Sequence, residues 1–420
     1  MIGLGKIVIN GGRRLNGELD VQGSKNAVLP IIASCILCND ECIIYNCPEI
    51  SDVYSACEII NYLGGTAYLE NGTLVVNTKG IYKSDIPKSL MNKMRSSVMF
   101  MGALLGKTGQ ASLYTPGGCE IGARPVDIHI KALKMLGADV IEDGEILNCK
   151  CRKLKGTKIH LDFPSVGATE NVMMAAVLAS GTTTISNPAL EPEIVELQDF
   201  INSMGGKICG AGTKTLVIEG VNSLHGTNFK VRGDRIVAST YLFGAAATGG
   251  KIRLNGVKSE DAEAVMTLLK EMGCKIDACE NSILLSSDGV LKSPKKVTTQ
   301  VFPGFPTDAQ APLTSALAVS NGTTVIHETI FENRFRHIEE LLKMKADIRV
   351  DGRVAVVCGV PHLQGAEVTA RELRGAGALC IAGLIADGET VMDGTEYLDR
   401  GYVNIEYALG MLGADIKREG

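Results

Sequence analysis

The sequence predicts an α/β chain of two domains, each made of three strand–helix–strand–helix–strand–strand repeats. Three observations predict it: a helix-end signature that recurs six times, a class of helices apolar on nearly every side, and a length of 420 residues. The signature is Leu or Met, usually followed by Gly, and then a strand start. It stands at Leu63-Gly64-Gly65, Leu136-Gly137-Ala138, Met204-Gly205-Gly206, Met272-Gly273-Cys274, Met344-Lys345-Ala346 and Leu412-Gly413-Ala414. An internal period of about 70 residues decides a fold before any single element does. The length exceeds what one hydrophobic core usually supports, so three repeats per domain is the natural division.

At the N-terminus, Ile7–Val21 resembles Leu216–Val231, the end of a repeat. It is expected to complete the second domain. The expected domains are therefore 22–232, and 1–21 joined to 233–420, with the chain crossing near residues 22 and 232. Within the repeats, Val172–Ala179, Thr240–Ala247 and Leu313–Val319 are apolar all round and rich in Ala, Ser and Gly. A helix without a polar face must be buried, and small residues let it pack closely. A glycine and a short β-branched strand follow these helices, as in Gly181–Ile185, Gly250–Leu254 and Gly322–Ile326; Gly388–Met392 fits the same place. The second helix of each repeat is amphipathic: in Glu193–Met204, residues Ile194, Leu197, Phe200, Ile201 and Met204 share one face. The glycine after its last turn suits a left-handed C-cap. Lys345 breaks that pattern in the fifth repeat and is expected to mark local drift of the fold.

A net charge of −5, from 42 basic and 47 acidic residues, excludes nucleic acid as the main partner. No apolar run approaches the roughly 20 residues of a membrane span, and no hydrophobic signal segment opens the chain, so a cytoplasmic protein without a membrane partner is expected. Thirteen scattered cysteines suit a reducing compartment. Cys35, Cys38, Cys42 and Cys47 have spacings that hint at metal. They fall largely in an apolar stretch with no second pair at zinc-ribbon spacing, and buried core is the better reading.

Charged residues recur in step with the period. Lys25, Arg95 and Arg235 precede apolar helices, while Arg124, Arg334 and Arg400 precede amphipathic ones. Cations at helix N-termini oppose the dipole, so repeated placement there needs a reason. If pseudo-symmetry gathers these ends, they and Arg374 line one positive cleft between the domains. The plainer reading leaves them solvated or paired with Asp234, Glu372 and Asp399. The loop Pro116–Asp127 sets Cys119 just before a helix opening near Arg124-Pro125, a setting that stabilises a thiolate. It is equally one more cysteine, with no base visible beside it. Asp308, in Phe305-Pro306-Thr307-Asp308, is either a helix-start residue capped by Thr307 or a general base for a hydroxyl. The uncharged turn Ser165-Val166-Gly167 offers backbone N–H groups to a phosphate.

Gly23–Ala27, Met94-Arg95, Pro116–Asp127, Ser165–Thr169, Glu191–Val195, Asp234-Arg235, Phe305–Asp308, Phe331–Phe335, Leu373-Arg374 and Asp399–Tyr402 together resemble the enolpyruvyl transferases along essentially the whole chain. The cysteine loop resembles the branch acting on a UDP-linked sugar in peptidoglycan synthesis; the shikimate-pathway sister shares the six-repeat fold and lacks that loop. The resemblance implies two inside-out α/β domains, helices within and sheets outside, closing on substrate with the active site in the interdomain cleft. It implies transfer of the enolpyruvyl group of phosphoenolpyruvate to the 3-hydroxyl of UDP-N-acetylglucosamine, by addition and elimination, with release of phosphate. Cys119 would be the acid, form an adduct with phosphoenolpyruvate and react covalently with fosfomycin. Asp308 would be the base or orienter at the sugar hydroxyl. Lys25, Arg124 and Arg400 would hold phosphoenolpyruvate, with Arg374 nearby. Asn26 and Asp308 would contact the sugar. Arg95, Arg124, Pro125, Val126, Asp127, Ile128, Ser165, Val166 and Ile330 would bind the nucleotide sugar, and Gly167 and Arg334 complete the set. No metal or cofactor is implied, the guanidinium cluster taking the place of Mg²⁺.

The chain departs from the family pattern at Phe163-Pro164, where many members carry Lys-Val, and at Glu372, where Asp usually precedes Leu-Arg. Those departures sustain two other readings. One is an enolpyruvyl transferase with another acceptor; the other is a non-catalytic or regulatory paralogue that keeps the UDP-sugar site.

Overall fold

The computed structural model describes residues 5–114 and 126–420, the side chain of Arg95 excepted. Among the described residues the strands form six four-stranded sheets of one connectivity and a two-stranded ribbon. The third repeat shows the plan. Lys158–His160 runs parallel to Thr182–Ser186, which pairs antiparallel with Thr215–Glu219, which pairs antiparallel with Lys207–Cys209. Helices Val166–Ala176 and Pro192–Ser203 fill the two connections. The repeat read from the sequence is thus the repeat found.

The apolar helices begin earlier than their hydrophobic runs. They open at Val166, Arg235 and Gln310, not at 172, 240 and 313. Caps explain the first two: Ser165 Oγ accepts from Ala168 N at 3.3 Å, and Asp234 Oδ1 accepts from Ile236 N and Val237 N at 2.8 and 3.1 Å. Apolar pattern reports burial, whereas the cap decides where the helix starts.

The chain separates into two compact units, one of described residues between Gly23 and Val231, the other of residues 5–22 with Arg232–Gly420. In the first unit, helices Lys25–Ser34, Phe100–Thr108 and Val166–Ala176 are almost wholly buried. Its strand Asn228–Lys230 lies parallel to Glu41–Tyr45, so the end of the third repeat supplies the first sheet. In the second unit, Arg235–Thr248, Gln310–Leu317 and Leu373–Ile385 pack against one another, and every residue from Arg235 to Ala247 is buried. Strand Asn16–Asp20 lies parallel to Lys251–Asn255. Strand Lys6–Asn10 sits between Glu389–Asp393 and Asp415–Glu419, antiparallel to both. No helix among the described residues is long and apolar enough to cross a membrane.

The helix-end glycines do what their position demands: Gly64, Gly137, Gly205, Gly273 and Gly413 have φ of 103°, 94°, 94°, 104° and 95°. Lys345 adopts the same left-handed turn with φ 68°. The drift expected at Lys345 does not occur; an L-residue carries the strain, about 1–2 kcal/mol, and the turn is kept.

Candidate active site

In the first unit, Lys25 is the first residue of its helix, whose cap is Ser24 Oγ accepting from Ala27 N at 3.4 Å. Its side chain is 10% exposed, and Nζ lies 2.6 Å from Asp52 Oδ2, itself 2% exposed. An ammonium has three donors, and this carboxylate fixes one of them. Asn26 follows, half-buried. Asp52 was not among the residues singled out above, because in sequence it is an ordinary acidic residue in a helix first turn.

A second group gathers around Asn171. Its Oδ1 accepts from Gly102 N at 2.6 Å, and its Nδ2 faces Val98 O, Gly167 O and His129 Nδ1 at 3.2, 3.3 and 2.9 Å. One amide therefore ties together three segments that carry sequence-derived binding residues. They are the turn Arg95–Met99, helix Asp127–Met135 with Val126 before it, and the Ser165–Gly167 turn. Val126 and Ile128 are half-buried and Asp127 is exposed. Ser165 spends its hydroxyl on the cap, so Val166 and Gly167 stand in the first turn ahead of the capped N–H of Ala168. Phe163 is 46% exposed just before this turn. Cys119, Arg124 and Pro125 lie outside the described residues, as does the Arg95 side chain.

Burial pushes the His129 pKa from 6.5 down to about 4, so the ring stays neutral and Nδ1 accepts from Asn171. The unfolded chain takes up this proton first. Stability present above pH 6.5 is therefore lost as the pH falls toward 4, by about 3 kcal/mol. Urea unfolding at pH 7 and pH 4.5 should show that loss. His129→Asn, which keeps an acceptor without the titration, should reduce it; an unchanged slope would rule His129 out as its source.

In the second unit, Asp308 is gripped by two guanidinium groups. Arg334 Nη2 donates to Oδ1 at 2.6 Å and Arg374 Nη2 to Oδ2 at 3.1 Å. The arginine side chains are 2% and 4% exposed and the Asp308 side chain 28%, so the carboxylate is the group that meets solvent. The turn Thr307–Ala309 has no side-chain cap, so the reading of Thr307 as a cap is corrected. Burial disfavours the charged form of Arg374, but Asp308, Tyr402 and Asp234 together outweigh it and hold the guanidinium pKa above its ordinary value. Glu372 is the N-cap of Leu373–Ile385: Oε2 accepts from Arg374 N at 2.8 Å and Oε1 from Gly375 N, with Arg334 Nη1 at 3.7 Å from Oε2. Arg400 is half-buried in a turn braced on both sides. Before it, Arg418 forks onto Asp399 at 2.9 and 2.7 Å; after it, Tyr402 is buried with its hydroxyl 2.9 Å from Thr240 Oγ1. Ile330 is half-buried on the loop after strand Thr323–His327. Among the described residues no three His, Cys, Asp or Glu side chains are grouped to hold a metal ion.

Residues 9–409 match the family described as EPSP synthase (3-phosphoshikimate 1-carboxyvinyltransferase). A UDP-N-acetylglucosamine 1-carboxyvinyltransferase 2 from Caldanaerobacter subterraneus subsp. tengcongensis is 48% identical over 415 residues, covering 99% of this chain and all of that protein. A UDP-N-acetylglucosamine 1-carboxyvinyltransferase 1 from Carboxydothermus hydrogenoformans is 46% identical over 414 residues, 98% of each. Among solved structures, the enolpyruvyl transferase NikO from Streptomyces tendae shares the fold with a TM-score of 0.88 at 24% identity over 99% of both chains. EPSP synthase from Acinetobacter baumannii does so with a TM-score of 0.75 at 19% identity, over 99% of this chain and 100% of that one.

Proposed function

This chain belongs to the EPSP synthase family of enolpyruvyl transferases, and from that premise we propose that it transfers the enolpyruvyl group of phosphoenolpyruvate to the 3-hydroxyl of UDP-N-acetylglucosamine. Phosphate leaves, and the product is a precursor of peptidoglycan. The observation that carries this reading is the partly exposed Asp308 carboxylate between two buried guanidinium groups.

The chemistry asks for an acid, a base and cations. Protonating the vinyl carbon makes C2 electrophilic, and Cys119 is the proposed acid. As the sugar oxygen bonds to C2, its proton passes to Asp308, which Arg334 and Arg374 hold at a fixed angle. The resulting tetrahedral intermediate returns a methyl proton to a base as the C2–O bond to phosphate breaks. Lys25, Arg124 and Arg400 stabilise the charge that builds on that phosphate. Both Glu372 oxygens accept helix N–H groups, so its part is to hold Arg374 rather than to carry protons. The N–H groups of the Ser165–Gly167 turn, with Arg95, Val126, Asp127 and Ile128, serve the nucleotide. The twelve cysteines among the described residues are all free, in keeping with a place in the reducing cytoplasm.

The test is phosphate release from phosphoenolpyruvate, with and without UDP-N-acetylglucosamine. Wild type should release phosphate only with the sugar, and Cys119→Ser should lose at least about 10²-fold. Fosfomycin should alkylate Cys119 and abolish release. Turnover with shikimate 3-phosphate, or none with any acceptor while UDP-N-acetylglucosamine still binds, would overturn the reading.

A further inference from the structure

Glu328 follows strand Thr323–His327 and is 0% exposed. A carboxylate so placed must find donors for both oxygens. Oε1 accepts from Thr299 Oγ1 at 2.9 Å and from the backbone N–H groups of Ile330 and Phe331 at 2.7 and 3.2 Å. Oε2 accepts from Thr307 Oγ1 at 2.9 Å. Thr299 is a second clamp, since its hydroxyl also accepts from Thr329 N at 2.9 Å and its carbonyl from Thr329 Oγ1 at 2.5 Å.

These donors come from three segments: Thr299 just past the end of a strand, Thr307 beside Asp308, and the 330–331 backbone. Thr307 immediately precedes Asp308. Ile330 is a proposed sugar contact. The Phe331 ring lies 5.7 Å from the Arg334 guanidinium, and Arg334 Nε donates back to Thr307 O at 3.4 Å. One side chain that meets no solvent thus bonds to the neighbour of Asp308, to the backbone of Ile330 and to the residue whose ring faces Arg334.

We propose that Glu328 is a positioning residue for the transfer reaction, holding Asp308 and Ile330 in register through Thr307 and the 330–331 backbone. This rests on the enolpyruvyl-transfer reading. Glutamine at 328 keeps an acceptor for the three Oε1 bonds, while its amide nitrogen faces the Thr307 hydroxyl, which can turn to accept. Alanine leaves all four donors stranded. Thr307→Val breaks only the bond nearest Asp308 and keeps the side-chain shape.

The experiment measures sugar-dependent phosphate release and, by calorimetry, the Kd for UDP-N-acetylglucosamine in wild type, Glu328→Ala, Glu328→Gln and Thr307→Val. Melting curves accompany each variant. Expected are a kcat loss of about 10²-fold in Glu328→Ala, rescue to within about tenfold in Glu328→Gln, and a loss of about tenfold in Thr307→Val with KM for phosphoenolpyruvate within twofold. The Kd should weaken about tenfold in Glu328→Ala and stay near wild type in Glu328→Gln. Wild-type kcat in Thr307→Val, with Glu328→Ala active in proportion to its folded fraction, would overturn the inference and leave a structural role. If wild type itself releases no phosphate, the transfer reading falls and the Kd series still decides on Glu328. An unchanged Kd in folded Glu328→Ala then overturns the inference.

Discussion

Asp308→Asn is expected to lower kcat by about 10³-fold while KM for phosphoenolpyruvate moves by less than about tenfold. The amide keeps the volume of the side chain but cannot take the hydroxyl proton. It also accepts at one oxygen only, so its nitrogen opposes one of the two guanidinium groups that the carboxylate satisfies in wild type. A loss confined to kcat identifies an interaction made in the transition state; a loss confined to KM identifies uniform binding. With the Asp308 side chain 28% exposed, solvent screens part of the electrostatic change, and the melting temperature should fall far less than activity does. An Asn variant within tenfold of wild-type kcat would remove Asp308 from proton transfer and leave it as an orienter.

Lys25→Ala should lose both stability and activity, for separable reasons. Asp52, 2% exposed, would lose its contact with this ammonium, and breaking a buried pair from one side costs about 3–5 kcal/mol. Without the ammonium at 2.6 Å the buried carboxyl holds its proton more readily, so its folded pKa rises. The deficit should be smallest in acid and should grow as the pH climbs past the unfolded value of about 4. Adding Asp52→Asn should restore much of the stability, read by urea unfolding, and none of the phosphate release. Recovery of activity in that double variant would show that Lys25 acts through folding alone.

The repeat was legible because every copy needs a left-handed residue after its second helix, and glycine marks that need openly in five of six copies. Lys345 shows the limit of the signal: the same turn is built where the letter is missing. The cations at helix starts were legible for a similar reason, since placement against the dipole is conspicuous. Their partners were not. Asp52 stands 27 positions beyond Lys25, Asn171 reaches Gly102 across 69 positions, and Thr307 meets Glu328 across 21. A buried polar side chain is defined by the donors around it, and donors contributed by distant segments leave no local pattern. Glu328 and Asn171 read in sequence as one more acid before a loop and one more polar residue in an apolar helix. The apolar runs begin after the helix starts because the caps Ser165 and Asp234 lie outside them.

The strand Lys6–Asn10 finds its neighbours at Glu389–Asp393 and Asp415–Glu419, almost a whole chain away. During synthesis this imposes an order of assembly. The sheets formed between Gly23 and Val231 have all their strands within that stretch and can close while the rest is still being made. Lys6–Asn10 and Asn16–Asp20 must wait, the second until Lys251–Asn255 emerges and the first until Glu389–Asp393 does. Unpaired strands are templates for the wrong partner, so the nascent chain carries two open edges through most of its translation. Slower elongation between Asn10 and Glu389 lengthens that exposure and gives aggregation more time to compete with folding.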